Sequence, residues 1–264
     1  MIARVISQHW LCSLSVLCAL LMMSLGSLST RAETADKKAE CTKDLMFVFD
    51  ASGSMGTTDL TAKEPHIERV KRALHRILPE IPPSRRMGLI IYGEGAYNQC
   101  DSIELKVRPQ LNAGPTIVAE VDKVQPMGRT PLTQSVRDAA DVLDYRHNSS
   151  VVVLLTDGEE TCAGKPCELA EALKADATDL TIHVIGYRHR DAAGLGAVFG
   201  ARCLAEQTGG LYLSVETEDE LVEALRKTLT CPLITEVSPN GGAFRKAEMS
   251  SPSPEIWLRS CRSQ

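Results

Sequence analysis

Two carboxylates and three hydroxyls are the residues of this sequence whose types and spacing fit a chemical task. Asp50-Ala51-Ser52-Gly53-Ser54 follows five apolar residues, Leu45 to Phe49, so a carboxylate and two hydroxyls emerge together where a buried strand ends. Hard oxygen groups at alternate positions on a glycine-containing turn suit a hard cation such as Mg2+ better than they suit proton transfer. Taken alone, these residues read more simply as a helix cap or turn. The metal reading therefore depends on whether other segments bring oxygen ligands to the same place. The candidates are Thr130, in Gly128-Arg129-Thr130-Pro131-Leu132, and Asp157, in Thr156-Asp157-Gly158-Glu159-Glu160.

The elements that must position them follow from hydrophobic periodicity. Leu45 to Phe49, Met87 to Tyr92 and Val151 to Leu155 are continuous apolar runs, which predicts strands buried on both faces. Ile103, Leu105 and Val107 alternate with Glu104 and Lys106, which predicts a half-exposed edge strand joined to the second by a hairpin through Gly93 to Asp101. A helix is predicted from His66 to Ile81, since Ile67, Val70, Leu74, Ile77, Leu78 and Ile81 recur at helical steps before Pro82-Pro83. A short helix near Ile117 to Val124 precedes one entered at Thr130-Pro131-Leu132, with Val136, Ala139, Ala140 and Leu143 as its inner stripe. The remainder alternates: helix Glu168 to Ala177, strand Leu180 to Tyr187, helix Ala201 to Thr208, strand Leu211 to Val215, helix Glu218 to Leu229.

This alternation predicts an α/β fold: a doubly wound, mainly parallel six-stranded sheet with helices on both faces. The expected order is 3-2-1-4-5-6, with strand 3 an antiparallel edge. Strands 1 and 4 are then neighbours, and Asp50 and Asp157 meet at the carboxyl-end switch point where ligands bind. The loop carrying Thr130 starts from the same end, so Asp50, Ser52, Ser54, Thr130 and Asp157 face one point. Mg2+ demands octahedral geometry and keeps several waters, so this donor set leaves a coordination position open.

In order, spacing and strand context these residues resemble the three motif segments of a von Willebrand factor type A domain with a metal ion-dependent adhesion site. The likeness covers roughly Cys41 to Cys231, and Thr156-Asp157-Gly158-Glu159-Glu160-Thr161-Cys162 is similar to exported bacterial members. The resemblance implies that Ser52, Ser54 and Thr130 bind the metal directly or nearly so, while one or both aspartates act through water. It also implies a protein partner whose Asp or Glu completes the shell. Mg2+ is the expected cation, with Mn2+ or Ca2+ able to substitute. A metal-dependent hydrolase using the same cation, or a metal that only braces the fold, are the other readings.

The 264 residues, 44% hydrophobic and 24% charged, describe an ordinary globular protein. Arg4, the apolar run Trp10 to Leu28 and the small residues around Arg31 read as an export signal over residues 1–32, with an uncleaved anchor as the competing view. Its removal takes away Arg4 and Arg31 and no carboxylate, so a net charge of −5 becomes more negative still. No basic stripe is left to neutralise phosphates, which argues against a nucleic-acid partner. No later segment is apolar enough to span a bilayer, and a periplasmic or extracellular location is expected. Residues 33–40 read as a linker, 41–231 as the domain and 232–264 as a disordered tail.

Export makes disulfides the default reading of the cysteines. Cys41 precedes the first strand and Cys231 follows the last helix, so both fall at the end of the sheet away from the metal and are expected to pair. Cys100 and Cys203 fall near opposite edges, several strand spacings of about 4.8 Å apart, too far for a direct bond. Cys162 and Cys167 either pair with each other or serve Cys100 and Cys203 separately, and Cys261 is left as a free thiol. Cys162 and Cys167 lack the Cys-x2-Cys spacing of a zinc site. Glu159 and Glu160 read as a solvated rim, His183 as a core or interface histidine, and His66, His75, His147 and His189 as surface residues. No nucleophile elbow, phosphate loop or dinucleotide fingerprint follows the first strand.

Overall fold

Each continuous apolar run becomes an interior strand of one sheet. The computed structural model describes residues 43–58, 63–187 and 199–230. The expected export signal, linker, Cys41–Cys231 pair, Cys261, His189 and tail lie outside the described residues. Strands β1 (Asp44–Asp50), β2 (Met87–Tyr92) and β4 (Ser149–Thr156) are buried along nearly their whole length. With β3 (Ile103–Gln110), β5 (Asp179–Tyr187) and β6 (Tyr212–Val215) they form a six-stranded sheet of order β3-β2-β1-β4-β5-β6. β3 is antiparallel to β2 and every other pairing is parallel, as expected.

Successive side chains of a strand point to opposite faces, and here each face has its own helical layer. Leu45, Phe47 and Phe49 pack with α1 (His66–Ile77), α2 (Gly114–Val121) and α6 (Glu218–Leu229). Met46 and Val48 pack with α3 (Leu132–Val142), α4 (Pro166–Asp176) and α5 (Phe199–Thr208). With both faces covered, water reaches β1 and β4 only at their ends.

The helix boundaries depart from expectation where proline acts. α1 ends at Ile77, not Ile81, and tightens into a 3-10 turn over Leu78–Glu80. Pro79 has no N–H to donate to the carbonyl of His75, so the α pattern cannot continue. α2 and α4 start earlier than predicted because Pro115 and Pro166 occupy first-turn positions, where a missing N–H costs nothing.

α6 is tied down at both ends. Thr217 accepts from the Glu220 N–H at 3.2 Å while the Glu220 carboxylate accepts from the Thr217 N–H at 3.2 Å, a reciprocal capping box. Arg72 of α1 bridges Glu64 and Glu218, and Arg226 meets Glu80 at 2.9 Å. These pairs are exposed, and their number does not make them strong. The cap is the better-defined contribution: Thr217→Ala should lower unfolding free energy by about 1 kcal/mol in urea titration.

Candidate metal centre

The five candidate residues meet at the carboxyl ends of β1 and β4, where the sheet order reverses. The two strands pair in a register that sets Phe49 opposite Leu155, so both finish together, one with Asp50 and the other with Thr156 and then Asp157. Asp50 is fully buried. Its Oδ1 accepts the Ser52 N–H at 2.7 Å and its Oδ2 accepts the Thr156 hydroxyl at 2.6 Å. Burial, and then the charge of Asp157, push the Asp50 carboxyl up to about 6 against the pull of those hydrogen bonds. Beneath it the phenol of Tyr92 is likewise buried, which pushes its pKa well above the usual value, with the Asp50 charge adding to the effect.

From Asp50 the contacts pass through hydroxyls. Ser52 Oγ lies 3.0 Å from Ser54 Oγ, and Ser54 Oγ donates to Asp157 Oδ1 at 2.5 Å. The Asp157 side chain is 1% exposed. Thr130 is buried, and its backbone pairs twice with Thr161: its N–H donates to Thr161 Oγ1 at 2.8 Å and its carbonyl accepts the Thr161 N–H at 3.1 Å. A Cβ placed on Gly158 would stand 3.3 Å from Ser54 Oγ and 3.8 Å from Thr130 Oγ1, so the two hydroxyls flank one point.

Close backbone approach holds these loops in place. Gly53 donates to the Gly128 carbonyl at 3.0 Å, and Gly128 donates to the Gly93 carbonyl at 2.7 Å. Gly93 has φ +88°, and a Cβ there would lie 2.6 Å from the Ser52 nitrogen. Both facts exclude a larger residue beside the site.

Three expectations need correction or completion. His66 is not a surface residue: it opens α1, its side chain is 15% exposed, and its Nδ1 lies 2.9 Å from Asp157 Oδ2. Glu160 is not a solvated rim. Its carboxylate accepts the Thr133 N–H at 2.7 Å and the Cys162 N–H at 2.6 Å, satisfying a first-turn donor of α3. Glu159 is exposed, as expected. The cysteines take the second of the two arrangements left open, Cys100 with Cys162 and Cys167 with Cys203. Both bonds flank the loop that carries Asp157. His183 is a core histidine whose Nδ1 accepts the Leu211 N–H at 3.0 Å. His75 and His147 pair with Asp122 and Asp144 at the surface.

The donor set fits a hard cation. Both carboxylates are withdrawn from solvent, and among the described residues their partners are hydroxyls, one backbone N–H and one imidazole, with no lysine or arginine. Among the described residues no three His, Cys, Asp or Glu side chains gather as a metal cage, so a cation held here would take its remaining protein oxygens from the hydroxyls of Ser52, Ser54 and Thr130. Two surface hollows among the described residues, about 480 Å3 beside β6 and α6 and about 340 Å3 around Thr178 and Gly209, lie elsewhere.

This sheet order defines a doubly wound α/β domain with a crevice at its switch point. The von Willebrand factor type A domain model matches residues 44–226, and the chain belongs to that family. It is 28% identical over 217 residues to YwmD of Bacillus subtilis (strain 168), described as uncharacterized, covering 79% of this chain and 92% of that one. Among solved structures it resembles proximal thread matrix protein 1 of the mussel byssus with a zinc-occupied MIDAS motif, at 20% identity and TM-score 0.52, over 72% of this chain and 46% of that one. It also resembles the pilus adhesin SpaC from Lactobacillus rhamnosus GG, at 16% identity and TM-score 0.55, over 70% of this chain and 30% of that one. The chain thus spans less than half of either structure, and at these identities the likeness is one of fold. Among the described residues no helix is long and apolar enough to cross a membrane.

The raised Asp50 pKa has a definite consequence for the metal-free protein. A carboxyl whose folded pKa lies above its unfolded value near 3.8 gives most stability below pH 4 and loses it as pH rises through about 6. The amide introduced by Asp50→Asn would still accept the Ser52 N–H and would donate to Thr156 Oγ1, whose own proton can turn to the Gly158 carbonyl 3.0 Å away. In chelator, Asp50→Asn should therefore match the wild type at pH 4 and exceed it by about 1–3 kcal/mol above pH 6 by denaturant titration.

Proposed function

We propose that this chain is an exported, Mg2+-dependent protein-binding module that captures an Asp or Glu side chain of a partner at an open metal position. The observation that carries this reading is the pair of solvent-withdrawn carboxylates, Asp50 and Asp157, joined through Ser52 and Ser54, with no lysine or arginine hydrogen-bonded to either among the described residues. A divalent cation among Asp50, Ser52, Ser54, Thr130 and Asp157 would supply that balance. With only two anionic groups against three neutral ligands, the ion would keep net positive charge toward an incoming carboxylate. Mn2+ or Ca2+ would substitute. The zinc found in the related site of the byssus protein supports a metal in this position, and the pilus adhesin supports use of the fold for attachment.

The surroundings of the site suit a protein surface. Met127 is 55% exposed directly before Gly128, whose carbonyl accepts from Gly53. An apolar side chain beside a metal-bound carboxylate gives a partner desolvated contact next to its charged anchor. In this reading residues 1–32 are the export signal, 33–40 a linker and 41–231 the adhesion domain, placing the protein in the periplasm or outside the cell.

Calorimetric titration with Mg2+ tests the metal. The wild type should bind, and Asp50→Ala, Thr130→Ala and Asp157→Ala should each weaken binding by about tenfold or more. Equal heats for wild type and Asp50→Ala would end the reading. A partner from cell-envelope extract should then be held in Mg2+, released by EDTA and not held by Asp50→Ala. Retention in EDTA would count against metal-bridged capture.

A further inference from the structure

His66 stands at this site although the five-residue motif does not contain it, and its placement is specific. It opens α1, with its N–H donating to the Thr57 carbonyl at 3.1 Å. Its ring meets the buried ring of Tyr187 edge to face, 5.7 Å between centroids. Held by backbone on one side and an aromatic ring on another, the imidazole turns Nδ1 to Asp157 Oδ2 at 2.9 Å. A carboxylate oxygen accepts, so in this contact the imidazole Nδ1–H is the donor.

The contact divides the Asp157 carboxylate. Oδ2 goes to His66 and Oδ1 to the Ser54 hydroxyl at 2.5 Å, so a single oxygen faces the hydroxyl cluster. Each oxygen of Asp50 also accepts a hydrogen bond, Oδ1 from the Ser52 N–H and Oδ2 from the Thr156 hydroxyl. Neither carboxylate is then free to chelate a cation with both oxygens. Ca2+ takes six to eight oxygens and commonly uses bidentate carboxylates, whereas Mg2+ takes six at short range and keeps water in several positions. A site whose carboxylates cannot close on the ion with both oxygens suits the smaller ion.

We propose that His66 is a positioning residue that makes the site selective for Mg2+ over Ca2+, by holding Asp157 Oδ2 away from the cation. The inference rests on the metal-site reading above and deepens it. Of the two restraints on bidentate binding, that on Asp50 is made by its own strand ends and loop. The restraint on Asp157 comes from a side chain on a different element, and a single substitution removes it.

The test is calorimetric titration of wild type, His66→Ala and His66→Asn with MgCl2 and separately with CaCl2, at one pH. Asparagine places an amide N–H close to where Nδ1–H stands. His66→Ala should lose about tenfold or more in Mg2+ affinity and lose less, or gain, in Ca2+ affinity, so the Mg2+ to Ca2+ preference falls by about tenfold. His66→Asn should recover most of that preference. Thermal melts in EDTA establish that the variants fold; if the alanine variant does not, His66→Gln, which keeps bulk but displaces the N–H, takes its place. An unchanged preference in the variant lacking the N–H, or no recovery with asparagine, overturns the role of His66 alone. Failure of the wild type to bind Mg2+ overturns the metal site and this inference together.

Discussion

The structure turns on two carboxylates placed side by side where two adjacent buried strands end. Asp50 and Asp157 share this position because β1 and β4, distant in sequence, are neighbours in the sheet and finish in register. Helices on both faces remove the solvent that would screen them, and the closest groups are neutral hydroxyls. Charges so arranged oppose folding until something positive joins them. The loops are interlocked through Gly93, Gly128 and Gly53, and the cost of this charge arrangement is met by the extensive core beneath. A protein without a use for the charge would be more stable with an amide there, a relation between stability and function common at binding sites.

Much of this was legible before the structure. Continuous apolar runs gave β1, β2 and β4 because burial on both faces leaves no polar alternation, and the alternation with helices then limits the strand order to a few possibilities. The order in turn brought Asp50 and Asp157 together, although they are 107 residues apart by number. Other features depend on distances that no local pattern encodes. His66 begins a helix whose polar face looks ordinary in sequence, and only the path of the chain after β1 brings its ring beside Asp157. Glu160 has an acidic neighbour and no local partner, so it reads as solvated until α3 is seen to begin beside it. The pairing of four central cysteines was undetermined for the same reason, since several connectivities fit one set of spacings. The early end of α1 was legible in principle: Pro79 was a local signal outweighed by the hydrophobic period continuing to Ile81.

Membership in the von Willebrand factor type A family describes the scaffold, and function belongs to the groups placed on it. Here those groups sit on loops, with the sheet supplying position. Each loop is fastened chiefly by main-chain hydrogen bonds: Gly53 to Gly128, Gly128 to Gly93, Thr161 to Thr130. Main-chain fastening leaves the side chains of Met127 and Arg129 exposed, so surface chemistry around the site is able to vary without altering the geometry beneath.

The two disulfides bear on the same loop from different directions. Cys162 ties it to the β2–β3 connection, and Cys167, at the start of α4, ties its far end to α5. A nine-residue segment between Thr156 and Pro166 would ordinarily sample many conformations. Crosslinked at its middle and its end, it has few left to lose when a ligand arrives. Whatever that ligand is, part of its binding is prepaid as preorganisation, fixed covalently when the two disulfides form.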